Sequence, residues 1–487
     1  MQREQVDHSV RRRLEDVRAS LRAHQQEHIL RFVDELQPGE RDALLDEVEA
    51  LDWEELDELI QTYVLERPHT ALADDLAPAS FFPGDPAKAT GRQQYDPAHY
   101  RVVGEAVVRE GYVAAFTVAG GQGTRLGWNG PKGTYPATPI TGKPLFRVFA
   151  EQLQAASRKY DVAIPWYIMT SPLNDEATRA FFADNNYFSL DRRDVFFFPQ
   201  GVMPSFDAAS GKLLLASKHE LAMNPDGHGG SLKGLARSGA LEDMAARGIQ
   251  HISYFQVDNP LVRIIDPLFI GLHASALGSS AEMSSKMVPK SHAGEKVGVF
   301  CQSNGRTMVV EYSDLPSDRA LETDDDGSLR FVAGSIAIHL ISVAFVQKLT
   351  QGGRLSLPWH RADKKVAYID DSGALQNPES PNGVKLESFV FDAIPLAESS
   401  IVYETSRADE FAPIKNASGD DSAATSHQIQ SNRNAAWLEQ HGVTIPRDEK
   451  GNVTAVIEIS PLTALDADDL ADVSLPAAIE PGARIVL

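Results

Sequence analysis

Cysteine, long apolar runs and net positive charge are what this 487-residue sequence lacks. Its one cysteine, Cys301, excludes an intrachain disulfide and a cysteine-based zinc site, and its place in the apolar run VGVFC predicts a core position. No stretch approaches the roughly 20 consecutive apolar residues of a membrane span. The charged start MQREQVDHSVRRRLEDVR does not have the pattern of a secretory signal. We therefore expect a soluble, cytoplasmic protein with no membrane partner.

Basic residues are in the minority, with 46 Lys and Arg against 68 Asp and Glu and a formal net charge of −22. This balance argues against nonspecific nucleic-acid binding as the main task. A small polyanionic ligand would need a local group of cations. Each Lys or Arg beside a glycine-rich loop is therefore more informative here than in a basic protein.

The length exceeds what one hydrophobic core usually serves, so we expect two or three domains. The first 67 residues have apolar positions at helical spacing, interrupted by Pro38 and Gly39, and residues 69–96 have the composition of a connector. The predicted domains are a helical N-terminal domain with its connector at 1–98, an α/β core at 99–395, and a small mixed α/β C-terminal domain at 396–487.

Four apolar runs of the core end in turn or polar residues, as parallel strands that deliver functional groups do. They are GYVAAFTVAGG, IPWYIMTS, DVFFFPQG and HISYFQVDN. A helical rhythm between Thr141 and Tyr160 separates the first two runs. Farther along, Asn304-Gly305 between two apolar runs predicts a β-hairpin, and KKVAYIDDSGALQNPES predicts another. The pattern predicts a Rossmann-like fold with a mixed β-sheet.

A glycine-rich loop, VAGGQGTRLGWNGPKGTY, follows the first of these strands. Its glycines would permit positive φ and let backbone N–H groups converge on an anion. Arg125 can fork onto phosphate oxygens, and Lys132 adds a point charge. The glycines that we assign to this cradle are Gly120, Gly121 and Gly123.

Three other interpretations of the loop are weaker. A plain glycine turn with a solvated arginine leaves the preceding strand and the second cation unexplained. A dinucleotide site needs the spacing G-x-G-x-x-G, whereas Gly121, Gly123 and Gly127 are spaced one residue too widely, which also disfavours a nicotinamide-dependent dehydrogenase. A Walker A loop ends in G-K-[ST], but this loop has Pro131-Lys132-Gly133. We favour nucleotide phosphates held in another kind of loop.

AGGQGTRLG followed by PKG resembles the signature of the UDP-sugar pyrophosphorylases, which join a nucleoside triphosphate to a sugar 1-phosphate. Further similar motifs follow in order, and the set is most similar to the eukaryotic-type UDP-N-acetylhexosamine branch. They are FFPQGVMPSFD, MNPDGHGG, QVDNPLVRIIDP, VGVF with VVEYSDL, PNGVKLESFVFD and DEFAPIKNA. The resemblance implies a nucleotidyltransferase fold and UTP as a substrate.

The resemblance also gives roles to single residues. Gln200 would read uracil, for which its amide offers both a donor and an acceptor. Asp258, at the end of a strand, would hold Mg²⁺, although an Asp-Asn pair could also cap a helix. Lys415 would contact phosphate near the reacting centre. The resemblance places Thr124 and Gly227 in nucleotide binding and Gly229 in sugar contact.

Sugar contacts are expected from Glu311 and Tyr312 after the hairpin, and from Phe389 and Phe391, whose i, i+2 spacing would put both on one face of a strand. Plain core packing is an alternative for the two phenylalanines. Two positions depart from the family. His228 and Ser335 stand where the hexosamine branch usually has sugar-facing asparagines.

These departures affect the choice of sugar more than the reaction, because unpaired polar groups in a site discriminate strongly. N-acetylglucosamine 1-phosphate is the first expectation and glucose 1-phosphate the second, with galactose-type sugars open. The products would be a UDP-sugar and pyrophosphate. A protein that binds nucleotide sugars without turnover is the alternative of another class, but retention of Arg125, Lys132, Asp258 and Lys415 argues against it.

Overall fold

A computed structural model describes residues 2–67 and 75–487, apart from the side chains of residues 2–10. The helices are α1 Gln2–Ala23, α2 Pro38–Glu49, α3 Trp53–Leu59, α4 Pro97–Arg109, α5 Leu145–Tyr160, α6 Asp175–Asp184, α7 Gly230–Arg237, α8 Ala240–Ala246, α9 Pro267–Ser275, α10 Ser317–Ala320, α11 Val343–Leu349, α12 Arg407–Glu410 and α13 Ala423–Gln440. The strands are β1 Ala77–Pro78, β2 Val113–Val118, β3 Trp166–Thr170, β4 Val195–Pro199, β5 Val202–Pro204, β6 Phe206–Asp207, β7 Leu215–Ser217, β8 Glu220–Leu221, β9 Met223–Pro225, β10 His251–Gln256, β11 Met283–Pro289, β12 Val299–Ser303, β13 Arg306–Val310, β14 Ala333–Ser342, β15 Trp359–Lys364, β16 Tyr368–Ile369, β17 Leu375–Gln376, β18 Gly383–Ser388, β19 Val402–Glu404, β20 Val456–Glu458 and β21 Arg484–Val486.

The chain divides into two compact units. The larger unit comprises the described part of Ala73–Gln200 together with Ser231–Ser356 and Val390–Leu487. The smaller unit comprises the described part of Met1–Leu72 together with Gly201–Gly230 and Leu357–Phe389. The domain boundaries expected after residues 98 and 395 stay a prediction.

The larger unit is built on a ten-stranded mixed sheet in the order β1-β12-β14-β10-β2-β3-β4, with β11, β13 and β19 attached beside this path. Strands β10, β2, β3 and β4 are parallel, and β14 is antiparallel to β10. The near-continuous burial of β2 and β3 agrees with their uninterrupted apolar sequences, because a central parallel strand is covered on both faces. The predicted α/β fold with a mixed sheet is confirmed.

The four predicted core strands correspond to β2, β3, β4 and β10, and the predicted helix between the first two corresponds to α5. Helix α5 buries Leu145, Val148, Phe149 and Leu153 because these residues recur on one face of a 3.6-residue period. The four parallel strands end at one edge of the sheet, so the loops that follow them are brought together.

The antiparallel part of the sheet contains the expected hairpin. Strands β12 and β13 pair from Val299 with Val310 to Ser303 with Arg306. The two turn residues, Asn304 and Gly305, have φ of 49° and 71°, the left-handed conformations that a type I′ turn requires. Cys301 is fully buried in β12, as predicted. The second expected hairpin is formed by β16 and β17, which belong to the smaller unit.

The end of the larger unit has a separate apolar cluster around Trp437, Leu438, Ile457 and Leu470. Helix α13 begins with a capping box formed by Ser422 and Thr425. Strands β20 and β21 pair in parallel. This arrangement agrees with the short mixed region expected at the C-terminal end.

The smaller unit packs its N-terminal helices against short strands. Leu21, Leu44 and Leu45 share an apolar cluster with Phe206 of β6 and Leu386 of β18. The apolar positions between residues 27 and 35 lie in two short 3₁₀ helices instead of a continuation of α1. Pro38 and Gly39 do not simply break a helix, because they begin α2 at positions where proline's missing N–H has no cost.

The connector predicted at residues 69–96 lies outside the described residues up to residue 74. Its described part contains β1, which pairs with β12 in the larger unit. Within the described ranges, no helix combines the length and the apolar character that crossing a membrane requires.

Candidate active site

The loop after β2 is folded into a compact structure by hydrogen bonds to its own backbone. The amide of Gly123 donates to the carbonyl of Gly130 at 3.0 Å, and that of Lys132 donates to the carbonyl of Gly121 at 3.0 Å. Asn174, which follows β3, donates through Nδ2 to the carbonyl oxygens of Ala119 at 3.1 Å and Gly121 at 3.4 Å. The conformation of the loop is therefore set before any ligand binds.

Two positions of the loop need glycine because other side chains approach them closely, and not because the backbone there has positive φ. A Cβ on Gly120 would lie 2.9 Å from Oε1 of Gln200, and a Cβ on Gly123 would lie 2.7 Å from the Cβ of Trp128. The expectation that these glycines supply positive φ is wrong. The left-handed positions are Gly127 at 69° and Gly130 at 149°, where the loop turns back.

The two cations of the loop have different surroundings. Arg125 is exposed in a 3₁₀ turn, Thr124–Leu126, with Thr124 exposed beside it. Lys132 is largely buried, and its Nζ lies 3.8 Å from Oδ2 of Asp258. Arg125 is thus free to move toward a ligand, whereas Lys132 is already placed against the predicted metal ligand.

Asp258 and Lys415 lie on neighbouring segments. Asp258 follows β10, and its carbonyl oxygen accepts a hydrogen bond from the amide of Ile414 at 2.8 Å. Lys415 is the next residue, half exposed, with its Nζ 3.4 Å from Asp421 and 5.5 Å from the ring centre of Phe411. The structure thus brings the segments of Lys132, Asp258 and Lys415 together, and the roles predicted for these residues stay predictions.

A buried ion-pair cluster that the sequence analysis missed supports this arrangement. Lys286 of β11 is fully buried, and its Nζ donates to Asp266 at 2.7 Å and to both oxygens of Glu410 at 2.7 Å. Glu410 is also fully buried, and its carbonyl oxygen accepts from Asn259 at 2.7 Å. Burial alone would raise the pKa of Asp266, but Lys286 and Arg263 hold that pKa below its usual value.

This cluster fixes the two segments that carry Asp258 and Lys415. Oδ1 of Asn259 accepts from the amides of Leu261 at 3.2 Å and Ala412 at 3.1 Å, so one side chain joins both segments. In the sequence, Glu410 belongs to the motif DEFAPIKNA, but Lys286 lies in the mixed stretch MSSKMVP and has no distinctive signal. Their pairing across 124 positions was not visible there.

The side chains near Asp258 fit a magnesium ion that takes most of its ligands from substrate phosphates and water. Among the residues that the structure describes, no group of three or more His, Cys, Asp or Glu side chains could form a complete metal cage. Mg²⁺ commonly takes one or two protein carboxylates and completes its shell with phosphate oxygens and water. A single, largely buried aspartate beside a phosphate-type loop agrees with that pattern.

Gln200 lies against the same loop. The backbone N–H of Gln200 donates to the carbonyl oxygen of Thr170, at the end of β3, at 2.8 Å. Its Oε1 occupies the space that a side chain at position 120 would need. The residue expected to read uracil is therefore adjacent to the residues expected to hold phosphate, all within the larger unit.

Three residues predicted to contact sugar lie around Gly298 and the end of β13. The amide of Ser335 donates to the carbonyl oxygen of Gly298 at 2.8 Å. Oε1 of Glu311 lies 3.5 Å from where a Cβ on Gly298 would be. Tyr312 follows Glu311 and is 46% exposed. Ser335 and Glu311 are therefore close neighbours across β12.

The remaining predicted residues of the PDGHGG loop belong to the smaller unit, where the loop packs on the end of β18. The amide of Gly229 donates to the carbonyl oxygen of Ser388 at 2.8 Å. Gly227 has φ of 85°, and a Cβ there would lie 2.3 Å from that same oxygen. Only glycine fits position 227 without moving the backbone.

His228 stacks on Phe389, with 5.1 Å between the ring centres, and His360 lies on Phe389 at 4.4 Å. Burial and the neighbouring His360 lower the pKa of His228 to about 4, so that its ring is neutral at pH 7. His360 was not predicted, since a histidine in a strand has no distinctive sequence signal.

The expectation that Phe389 and Phe391 share one face of a strand is wrong. Strand β18 ends at Ser388, and Phe391 lies buried in a 3₁₀ helix, Val390–Leu396. The i, i+2 spacing of the two phenylalanines could not show that the strand ends directly before the first of them.

The matching family and the similar proteins each cover most of this chain. Residues 105–460 match the family described as UTP–glucose-1-phosphate uridylyltransferase. UDP-N-acetylhexosamine pyrophosphorylase-like protein 1 of Xenopus tropicalis is 37% identical over 91% of this chain and 91% of its own length. UDP-N-acetylglucosamine pyrophosphorylase of Saccharomyces cerevisiae is 37% identical over 71% of this chain and 74% of its own length.

A solved structure supports the fold. The Trypanosoma brucei uridine diphosphate N-acetylglucosamine pyrophosphorylase superposes with a TM-score of 0.80 over 96% of this chain and 97% of that one. Its sequence identity is 24%, so this likeness concerns the fold alone.

Proposed function

This chain belongs to the UTP–glucose-1-phosphate uridylyltransferase family, and from that membership we propose that it forms UDP-N-acetylglucosamine and pyrophosphate from UTP and N-acetylglucosamine 1-phosphate. It is a nucleotidyltransferase of the UDP-sugar pyrophosphorylase type. The observation that carries the proposal is the meeting of Lys132, Asp258 and the Lys415 segment at the ends of β2 and β10.

The reaction needs no protein nucleophile. An oxygen of the sugar 1-phosphate attacks the α-phosphorus of UTP in line, a new P–O bond forms, and the bond to the departing pyrophosphate breaks. Catalysis then consists of positioning and charge neutralisation. The enzyme's residues must therefore hold two phosphate groups close together and stabilise the leaving group.

We assign these tasks to the cations of the larger unit. The loop glycines, Gly120, Gly121 and Gly123, admit the triphosphate against the backbone, with Thr124 at the entrance. Arg125 folds over the outer phosphates, because it is exposed and able to move, and neutralises the charge of pyrophosphate. Lys132 contacts the triphosphate from the opposite, largely buried side. Lys415 screens the repulsion between the two approaching phosphates.

Asp258 is the residue that would hold Mg²⁺. The ion, when bound, would supply positive charge that neutralises the phosphates. Asp258 can present its carboxylate only in a restricted direction, because its backbone is tied to Ile414 and its Oδ2 faces Lys132. Gln200 would select uracil through its amide.

Sugar recognition is assigned to Glu311, Tyr312 and Ser335 in the larger unit and to His228, Gly229, Phe389 and Phe391 by their sequence motifs. The relatives named for N-acetylhexosamine or N-acetylglucosamine favour an N-acetylated sugar over glucose. They also favour turnover over binding alone. The neutral ring of His228 can donate or accept a hydrogen bond, as an asparagine amide can.

The test is pyrophosphate release from UTP and Mg²⁺ with N-acetylglucosamine, N-acetylgalactosamine, glucose and galactose 1-phosphates in parallel. We expect the highest kcat/KM with N-acetylglucosamine 1-phosphate. Omission of the sugar and replacement of UTP by ATP are the controls. UTP binding without pyrophosphate release for any sugar would contradict the proposal. We propose the cytoplasm as the compartment, since the protein's one thiol is buried and unpaired.

A further inference from the structure

A cavity of about 40 Å³ lies within the larger unit beside the segment that follows Asp258. One wall is the chain from Pro260 to Arg263, and the opposite wall includes Gln430, Arg433 and Trp437 of α13. The cavity is lined by none of the residues assigned to the candidate active site. Its charged lining residues are Lys143, Arg263, Arg433 and Glu458.

Three cations around one small cavity are unusual in a protein of net charge −22. Two of the four charged lining residues already have partners outside the cavity lining. Lys143 pairs with Glu151 at 2.6 Å. Glu458 accepts from the amides of Ile140 at 2.8 Å and Thr141 at 2.9 Å. The two arginines are left as the groups that a ligand would meet.

Among the described residues, neither guanidinium forms an ion pair with a carboxylate, although the charges of Asp266 and Glu410 raise the pKa of Arg263. Nε of Arg263 is buried without a hydrogen-bond partner among the described residues. Arg433 donates from Nε at 3.3 Å and from Nη2 at 3.1 Å to the neutral amide oxygen of Asn434, and it lies over the ring of Trp437 at 4.5 Å.

The electrostatics around Arg433 agree with this geometry. Burial and the positive charge of Arg263 lower the pKa of Arg433 to about 9, and Asp409 and Glu410 offset only part of the shift. A buried charge is costly unless it is paired. An anion in the cavity would therefore stabilise the charge of Arg433, and it would give the unsatisfied Nε of Arg263 an acceptor.

We propose that this cavity binds a small oxyanion of the phosphate class between Arg263 and Arg433, at a site separate from the candidate active site. Guanidinium groups match tetrahedral oxyanions because their N–H donors form a rigid fork. The size of the cavity admits inorganic phosphate and excludes a nucleotide or a sugar phosphate. The apolar Val262 and Trp437 of the lining limit competition from water.

Thermal unfolding with inorganic phosphate, against sodium chloride at equal ionic strength, tests the proposal. Phosphate could also bind at Arg125 and Lys132, so the comparison uses three proteins: the wild type, the double variant Arg125→Ala/Lys132→Ala, and Arg433→Met. At phosphate tenfold above Kd, we expect Tm to rise by about 1–3 °C in the wild type and in the double variant. Arg433→Met should lose that rise.

The opposite pattern would overturn the proposal. A double variant that loses the whole rise would place the phosphate at the candidate active site, and Arg433→Met that keeps the rise would remove Arg433 from binding. Since Arg433→Met could fail to fold, a second measurement uses the unaltered chain. Crystals grown with selenate should give an anomalous peak within hydrogen-bond distance of both guanidinium groups; a cavity with water alone would refute the site.

Discussion

Nζ of Lys132 lies 3.8 Å from Oδ2 of Asp258, which joins the loop after β2 to the loop after β10. The two residues are 126 positions apart in sequence (258 minus 132), yet adjacent parallel strands deliver them to the same edge. A lysine at this distance attracts the carboxylate without a direct hydrogen bond. The carboxylate therefore faces the loop in which we propose that the nucleotide phosphates bind.

Replacement of Arg125 by Ala should reduce kcat/KM for pyrophosphate release by about 100-fold or more, because removal of one group that stabilises charge in a transition state has effects of that order. The free energy of unfolding should change by less than about 0.5 kcal/mol, since Arg125 is exposed. Arg92→Ala is the matched control, because Arg92 is also exposed in a short 3₁₀ turn. Equal turnover in the two variants would remove Arg125 from catalysis.

Asp258→Asn should abolish most activity at low Mg²⁺ and raise the Mg²⁺ concentration that gives half-maximal turnover. The amide keeps the size of the side chain but is a poorer ligand for a hard divalent cation. Turnover measured across a Mg²⁺ series is the readout, with the exposed Asp325→Asn as the control. An unchanged Mg²⁺ dependence in Asp258→Asn would assign the metal to other ligands.

Glu410→Gln should destabilise the protein by about 3–5 kcal/mol, because it leaves the fully buried Lys286 with Asp266 as its main acid partner. The measurement is urea unfolding. Lys348→Met provides the control, since it breaks the exposed pair with Glu282 and should cost no more than about 1 kcal/mol. The double variant Lys286→Met/Glu410→Gln should recover part of the loss, and a purely additive double variant would contradict the pairing.

The stability of the protein should fall as the pH drops from about 6.5 toward 4, and His228 should account for part of the loss. Its folded pKa is lowered to about 4, so the unfolded chain binds a proton in this range while the folded chain does not. The contribution of His228 is fully present above pH 6.5 and is lost as the pH falls.

His228→Asn should flatten this dependence by about 1–3 kcal/mol between pH 7 and pH 4, measured by urea unfolding at each pH. The control is His251→Asn, since burial lowers the pKa of His251 to about 4 as well. Both variants should flatten the curve, but only His228→Asn should change the relative kcat/KM for N-acetylglucosamine and glucose 1-phosphates. An unaltered sugar preference would argue against a sugar role for position 228.

Local patterns were sufficient for much of the fold. The turn at Asn304-Gly305 could be predicted because its conformations depend on the two residues themselves. Strands β2 and β10 could be predicted from continuous apolar runs, and their ends located Asp258 and the loop of Lys132. The loops that carry the residues proposed to bind phosphate could therefore be located from the sequence.

What could not be predicted depends on contacts between distant residues. Lys286 reads as an isolated charge in a strand until Glu410 is placed beside it. The rings of His360, in β15, and Phe389, directly after β18, are in contact only because the chain folds, and the sequence does not show this. The need for glycine at position 120 comes from the approach of the Gln200 side chain, which no local pattern contains.

Because Cys301 is buried, its reaction with thiol reagents can be used to measure opening of the surrounding sheet. Burial raises the pKa of this thiol to about 12, so it should be inert to thiol reagents while β12 remains in the sheet. Because it is the only cysteine of the chain, its labelling rate measures how often the centre of the larger unit opens. If UTP stabilises the larger unit against opening, Cys301 should be labelled more slowly when UTP is bound.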